Sequence, residues 1–284
     1  MKQKQFNNQN VIVIGATGGL GTAFAHAFAD AGARLILAGR NTDKLAQLSK
    51  TFAPETLTHS IDTTDVSSID ALAQFAQTVW GHVDVVVNVA GIDVRKAFDE
   101  HSIGEIRNAV DLDLVAPILI TRAFLPMLRQ QSSGTLVHIG GFGDGRLALP
   151  YFTVDVASRA GLATFTEAIN RELDGTGINV MFFSPPPADT ETERQFHPLW
   201  KKMDLAIAPA SQVAIELLDA ISKRKRVHIM GGALTVIFSK LNAAFPGLAD
   251  VVMMNQYRKI LRDFFTPTTT SLSSSIERQK SWGR

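Results

Sequence analysis

Short β-branched runs alternate with longer stretches of helical periodicity along this chain. The runs are Val11–Ile14, Arg34–Ala38, Leu57–Ile61, Val83–Asn88, Thr135–Ile139, Ile178–Phe183 and Arg226–Met230. Most segments between them carry apolar residues at helical spacing. Over 19–31, Leu20, Phe24, Ala27, Phe28 and Ala31 share one face. Several runs are apolar on both sides, as a strand must be when helices cover both faces of a parallel sheet. The alternation predicts an α/β fold in one domain, a doubly wound parallel sheet of about seven strands.

The pattern changes after the last run. Gly231-Gly232 precedes a helix with Leu234, Ile237, Phe238, Leu241 and Phe245 on one side. Pro246-Gly247 ends it. A second helix is predicted from about Leu248 to Phe265, with Val251, Val252, Tyr257, Ile260, Leu261, Phe264 and Phe265 beside Arg258, Lys259 and Arg262. This extension, residues 231–265, reads as packing over a cleft or against a second subunit. Basic and aromatic residues mix there, so membrane-surface contact is a second reading, not favoured, and an apolar lid over a lipid-like ligand is a third. From Thr266 to Arg284, Thr-Pro-Thr-Thr-Thr and Ser-Ser-Ser runs cannot build a core and read as a flexible tail. The domain thus covers 1–265 and the tail 266–284.

Composition narrows the function classes. With 284 residues, 45% hydrophobic and 19% charged, the chain is long and apolar enough to fold on its own core. Its 28 basic and 27 acidic residues leave a net charge of +1, so no bulk attraction to nucleic acid follows. The basic run Lys223–Arg226 is short and reads as a solvated helix end. The absence of cysteine excludes disulfides, thiolate metal sites and cysteine nucleophiles. The N-terminus is polar and lacks a signal-peptide pattern, and no run is long and apolar enough to span a membrane. A cytoplasmic protein is expected.

Gly15-Ala16-Thr17-Gly18-Gly19-Leu20-Gly21 follows the first strand directly and opens the first helix. Glycines there let the backbone approach a pyrophosphate, and the helix N-terminus offers free N–H groups and partial positive charge. At the end of the second strand stands Ala38-Gly39-Arg40, with no acid to meet ribose hydroxyls. Arg40 is placed to meet a 2′-phosphate, so NADP(H) is favoured over NAD(H).

These residues resemble the short-chain dehydrogenase/reductase family. Gly15, Gly19 and Gly21 have its glycine spacing, with Ile14 where Thr is usual. Asp65-Val66 looks like its adenine-contacting Asp, and Asn88-Val89-Ala90-Gly91 matches its Asn-Asn-Ala-Gly motif. Thr121–Pro126 is similar to a stretch on its fourth helix. Ser184-Pro185-Pro186-Pro187-Ala188-Asp189-Thr190 resembles its Pro-Gly loop, with Pro185 in place and Thr190 as the residue meeting the nicotinamide amide. The resemblance spans about residues 9 to 230. It implies a seven-stranded Rossmann sheet, a bound nicotinamide dinucleotide, a small carbonyl substrate and a homodimer or homotetramer. Apolar faces around Leu112–Leu128 and Leu162–Leu173 are candidate interfaces.

The family uses Asn, Ser, Tyr and Lys to reduce a carbonyl. Aligned on those positions, this chain has Asp113 for Asn, Gly141 for Ser, Asp155 for Tyr and Arg159 for Lys. Arg159 would still hold a ribose hydroxyl but cannot give up its proton. Asp155 is expected to be ionised and so no acid, unless burial outweighs Arg159 one turn away. Such an i, i+4 pair is also an ordinary helix ion pair.

Two groups are candidate replacement donors. Tyr151 would lie one turn before Asp155 if the helix starts at Pro150, and His138 sits at a strand end. Asp113 and Asp155 together would suit proton abstraction in an isomerase or dehydratase. The loop Gly140-Gly141-Phe142-Gly143-Asp144-Gly145 reads as soft and poor in donors, fitting a lost oxyanion site. The sequence therefore predicts an NADP(H)-binding family homologue with an atypical site, a sensor or partner subunit if inactive.

Overall fold

A computed structural model describes residues 5–141, 145 and 147–266. Seven parallel strands carry the fold: β1 (Asn10–Ile14), β2 (Arg34–Gly39), β3 (Leu57–Ser60), β4 (Val85–Asn88), β5 (Gly134–Ile139), β6 (Ile178–Ser184) and, after a small ribbon, β9 (Val227–Ile229). Their order is β3-β2-β1-β4-β5-β6-β9. The ribbon pairs β7 (Ala188–Asp189) with β8 (Ala208–Pro209). Two-residue strands carry no periodicity, which is why the sequence pattern does not show them.

Alternation along the strands builds two cores. Val11 and Val13 pack with Phe24 and Phe28 of α1 (Gly19–Asp30) and Val213 and Leu217 of α8 (Ala210–Ser222). Ile12 and Ile14 pack with Ile69 and Leu72 of α3 (Val66–Trp80), Ile120 and Phe124 of α5 (Ala116–Gln131), and Ile169 of α6 (Thr153–Glu172). Leu45 of α2 (Thr42–Ser49) joins the first core. α4 (Ile103–Val110) runs into α5 through a π-helical turn, Asp111–Val115. The residues that made 112–128 and 162–173 look like interfaces are largely committed inward: Ile120, Phe124, Leu128, Leu162, Ile169 and Leu173 are all buried in the chain's own core.

The C-terminal extension departs from the expected two helices. It forms α9 (Gly232–Ala244), α10 (Pro246–Gln256) and α11 (Arg258–Phe265), the predicted second helix breaking at Tyr257. A third core lies beneath it. Leu147, Leu149 and Phe152 meet Leu199 and Trp200 of α7 (His197–Lys202), together with Met203, Met253 and Leu261. The predicted apolar stripe is only partly used, since Ile237, Phe245 and Val251 are 59%, 62% and 57% exposed. No described helix is long and apolar enough to cross a membrane.

The glycine loop after β5 is not merely soft. A Cβ on Gly140 would overlap the Phe182 ring, and one on Gly145, whose φ is +80°, would fall 2.8 Å from the Arg159 carbonyl oxygen. Residues 142–144 lie outside the described residues, as does the tail from 267. Gly140→Ala is expected to destabilise by about 2–3 kcal/mol through overpacking. Urea unfolding checks it: the midpoint should drop with the slope unchanged.

Candidate functional site

The carboxyl ends of β1, β4, β5 and β6 open onto a cleft of about 310 Å³. It lies where strand order reverses between β1 and its two neighbours, the usual ligand position in an open parallel sheet. Gly15, Gly19, Leu20 and Gly21 form one wall. Gly15 has φ +85°, and a Cβ there would lie 2.8 Å from the Ala90 backbone nitrogen. A Cβ on Gly21 would strike the Gly15 carbonyl oxygen, and one on Gly19 would meet the Thr190 side chain at 2.6 Å. Thr17 lies just before, near Gly39. The start of α1 has no side-chain cap and no acid in its first turn. Its N–H groups are thus available to an anion, and the cradle fits a dinucleotide pyrophosphate.

β2 and β3 end to one side of the glycine loop. Arg40 is exposed directly after β2. Asp65 is not the acid at the end of β3. It caps α3, accepting from the Ser67 N–H at 2.9 Å and from the Ser67 hydroxyl, and Val66 is 43% exposed. Asp62 takes that place, two residues past the strand. Thr64 chiefly, and then Arg40, hold its pKa below the ordinary carboxylate value. Asn88 ends β4, buried, and accepts from the Ala90 N–H at 3.3 Å. Ala90, Gly91, Pro185 and Thr190 line the cleft.

At the far end the cleft is charged. α6 places Asp155 and Arg159 one turn apart, both buried. Arg159 Nε donates to Asp155 Oδ1 at 2.7 Å and Nη1 donates to the Ile139 carbonyl at 3.1 Å. Its Nη2 lies 3.4 Å from Asp93 Oδ1 and 3.8 Å from Asp113 Oδ1. Asp113 sits in the π-helical turn, where Oδ1 accepts from the Ile92 N–H at 3.1 Å. Its Oδ2 is buried with no hydrogen-bond partner among the described residues. Arg95 Nη2 lies 3.1 Å from Asp93 Oδ2, and Nη1 donates to Glu193 Oε1 at 2.9 Å. Glu193 Oε1 also accepts from Trp200 Nε1 at 2.6 Å. The Arg95 guanidinium lies over Phe196, Phe152 and Trp200, 4.3–5.5 Å from their centroids.

Burial governs ionisation here. It pushes Asp113 up to about 7, with Arg159 opposing and Asp155 adding to the rise. It also raises Asp155, against Arg159. For Asp93, Arg95 and Arg159 outweigh burial and hold the pKa below its ordinary value, helped by a hydrogen bond with the Asp155 carboxyl. Both arginines are held more firmly protonated than usual: their carboxylate partners outweigh burial. The Asp155–Arg159 pair is therefore more than a surface helix bridge, and the ionised Asp155 expected from the sequence is opposed by its burial.

Two expected substitutes fall away. Tyr151 precedes α6, has φ +69°, and stacks on Phe265 at 4.8 Å. It is not one turn below Asp155 and does not line the cleft. His138 is fully buried within β5, bonded to Thr121 Oγ1 at 2.8 Å, and burial drives its pKa down to about 3. It is a neutral core residue. Gly141 does line the cleft, but its missing side chain is not empty space. A Cβ there would sit 2.5 Å from Arg159 Cδ.

Sequence reasoning passed over Asp93, Arg95, Glu193, Phe152 and Trp200, which all line the cleft. The first two carried a signal: opposite charges two and four residues after the Asn-Val-Ala-Gly turn, at a strand's carboxyl end. Glu193 and Trp200 come from a distant segment folded over the cleft, and nothing local marks them.

Comparison with known proteins follows the same fold. Residues 9–198 match the short chain dehydrogenase family model. An uncharacterized oxidoreductase of Staphylococcus aureus is 30% identical over 220 residues, covering 77% of this chain and 93% of its own. Dehydrogenase/reductase SDR family member 7B of Bos taurus is 30% identical over 268 residues, covering 89% and 82%. A short-chain dehydrogenase from Streptomyces avermitilis superposes with a TM-score of 0.74 at 26% identity, over 90% of this chain and 98% of its own. A metagenomic short-chain oxidoreductase solved with NADP shares the fold at TM-score 0.67 and 22% identity, over 79% and 97%. This chain belongs to the short-chain dehydrogenase family.

Proposed function

We propose that this chain is an NADP(H)-binding family member whose ordinary carbonyl reduction is lost or heavily altered, acting as a cofactor-bound sensor or partner subunit. One observation carries the reading. Among the described residues lining the cleft there is no Tyr, Ser, Lys or His. At the Ser, Tyr and Lys positions stand Gly141, Asp155 and Arg159, and the Arg159 side chain fills the space a serine would use. The glycine cradle supports dinucleotide binding, and Arg40 beside an acid-free strand end supports NADP(H) over NAD(H). A bound nicotinamide would supply hydride; no donor of the usual kind stands ready to protonate the product.

A second reading is acid–base chemistry without hydride transfer, by Asp155 with Asp113 behind it. The raised pKa values of both favour it. Its test is Asp155→Asn, which should abolish any such turnover and leave cofactor binding in place.

The deciding experiment for the first reading is titration with NADPH and NADH, followed by turnover with a panel of carbonyls. NADPH should bind more tightly, Arg40→Ala should remove at least roughly tenfold of that preference, and turnover should be negligible. Gly141→Ser with Asp155→Tyr and Arg159→Lys should then create activity. Gly141→Ser alone should only destabilise, since its Cβ needs the room that Arg159 holds. Robust reduction by the unaltered protein would sink the reading.

A further inference from the structure

We propose that the cleft discriminates between the redox forms of its dinucleotide and holds the oxidised, cationic nicotinamide more tightly than the reduced, neutral one. The inference rests on the cofactor reading above and deepens it.

The two forms differ by one unit of charge on the ring and share everything else. Discrimination must therefore come from the charge around the ring. With the pyrophosphate at the glycine loop, one half of the dinucleotide would lie toward Arg40. The other half would lie toward Asp93, Asp155, Arg159 and Thr190, which line the cleft. At that end, four carboxyl groups, Asp93, Asp113, Asp155 and Glu193, face two guanidinium groups, Arg95 and Arg159. Neither arginine has charge to spare. Arg95 is shared by Asp93 and Glu193, and Arg159 by Asp155, Asp93 and Asp113. The surplus is acidic and lies around Arg159.

That surplus is also protonatable. The groups facing Asp113 are Arg159 and Asp155 from α6 and Asp93 from the loop after β4; those facing Asp155 are Arg159, Asp93 and Arg95. Below neutral pH Asp113, raised to about 7, holds its proton, and burial favours the protonated form of Asp155 as well, so the cluster is closer to balanced. At higher pH they ionise and attract a cationic ring. Linkage then requires the converse: binding the cationic ring expels a proton, and binding the neutral ring does not.

Calorimetry with NADP⁺ and NADPH at pH 6 and pH 8 tests this, in two buffers of different ionisation enthalpy. The expected result at pH 8 is a preference for NADP⁺ of roughly tenfold or more, since even one net charge about 10 Å away at an effective dielectric constant near 20 is worth that much. The preference should shrink toward pH 6, and NADP⁺ binding should release a proton. Asp93→Asn and Asp113→Asn should each narrow the ratio. Neither should change the affinity for 2′-phospho-ADP-ribose, which lacks the ring and so also reports an intact fold. Equal affinities, a preference for NADPH, or a ratio indifferent to both substitutions overturns the inference while leaving the cofactor reading standing. Failure to bind either form, or the ring-less probe, overturns both.

Discussion

Arg159→Met should lower stability by about 3–5 kcal/mol at pH 8, the usual effect of stranding a buried ionic partner. The loss should be much smaller at pH 5. Arg159 is the common neighbour of Asp155, Asp93 and Asp113, and all but about a tenth of its side chain is buried. Met matches much of its length, so little packing is lost near Gly141. What changes is electrostatic. Arg95 remains for Asp93 and Asp155 but is already engaged by Glu193, and Asp113 loses the one cation that faces it among the described residues. The carboxyls can then survive burial only by holding protons, which is easy at pH 5 and costly at pH 8. The sign for Asp93 agrees. Its folded pKa is lowered, so its stabilisation exists above its unfolded value and is lost as pH falls through the folded one. Urea midpoints of both proteins from pH 5 to pH 8 read the effect. A small, pH-independent difference would show that the cluster is solvated and that Arg159 matters only as packing.

The fold was legible because it rests on repeated, local signals. Seven β-branched runs and the glycine loop placed all seven strands of the main sheet and the cleft at their carboxyl ends. The charged end of the cleft was only half legible. Asp113, Gly141, Asp155 and Arg159 were found by register along two helices and a strand end. How they are used depends on groups that meet across long separations: Asp93 and Arg159 are 66 residues apart, Arg95 and Glu193 98. The expected acids failed for local reasons. Tyr151 has φ +69° and cannot extend α6, and His138 points into the sheet's packing rather than the cleft. Asp65 misled because Asp is also a favoured helix cap, and that is the use made of it here.

Asp113→Asn should act in the opposite direction to Arg159→Met, stabilising the protein at pH 8 by about 2 kcal/mol and leaving it unchanged at pH 4. The folded pKa is raised to about 7, chiefly by burial. Between about pH 4 and pH 7 the unfolded chain gives up this proton and the native state keeps it. Stability therefore falls across that window, and the full penalty, at most about 4 kcal/mol, is present above it. Asn carries no charge to ionise and keeps an oxygen for the Ile92 N–H. Its new N–H₂ replaces an oxygen that had no partner among the described residues, so part of the gain is forfeited to an unsatisfied donor. Unfolding midpoints at pH 4, 6 and 8 should diverge progressively from those of the unaltered protein. Destabilisation at pH 8 would mean that Asp113 is ionised and paired with Arg159 across their 3.8 Å separation. The double variant sharpens the point. Asp113 is one of the buried carboxyls that Arg159→Met strands, so Asp113→Asn should recover part of the loss caused by Arg159→Met at pH 8 and none of it at pH 4.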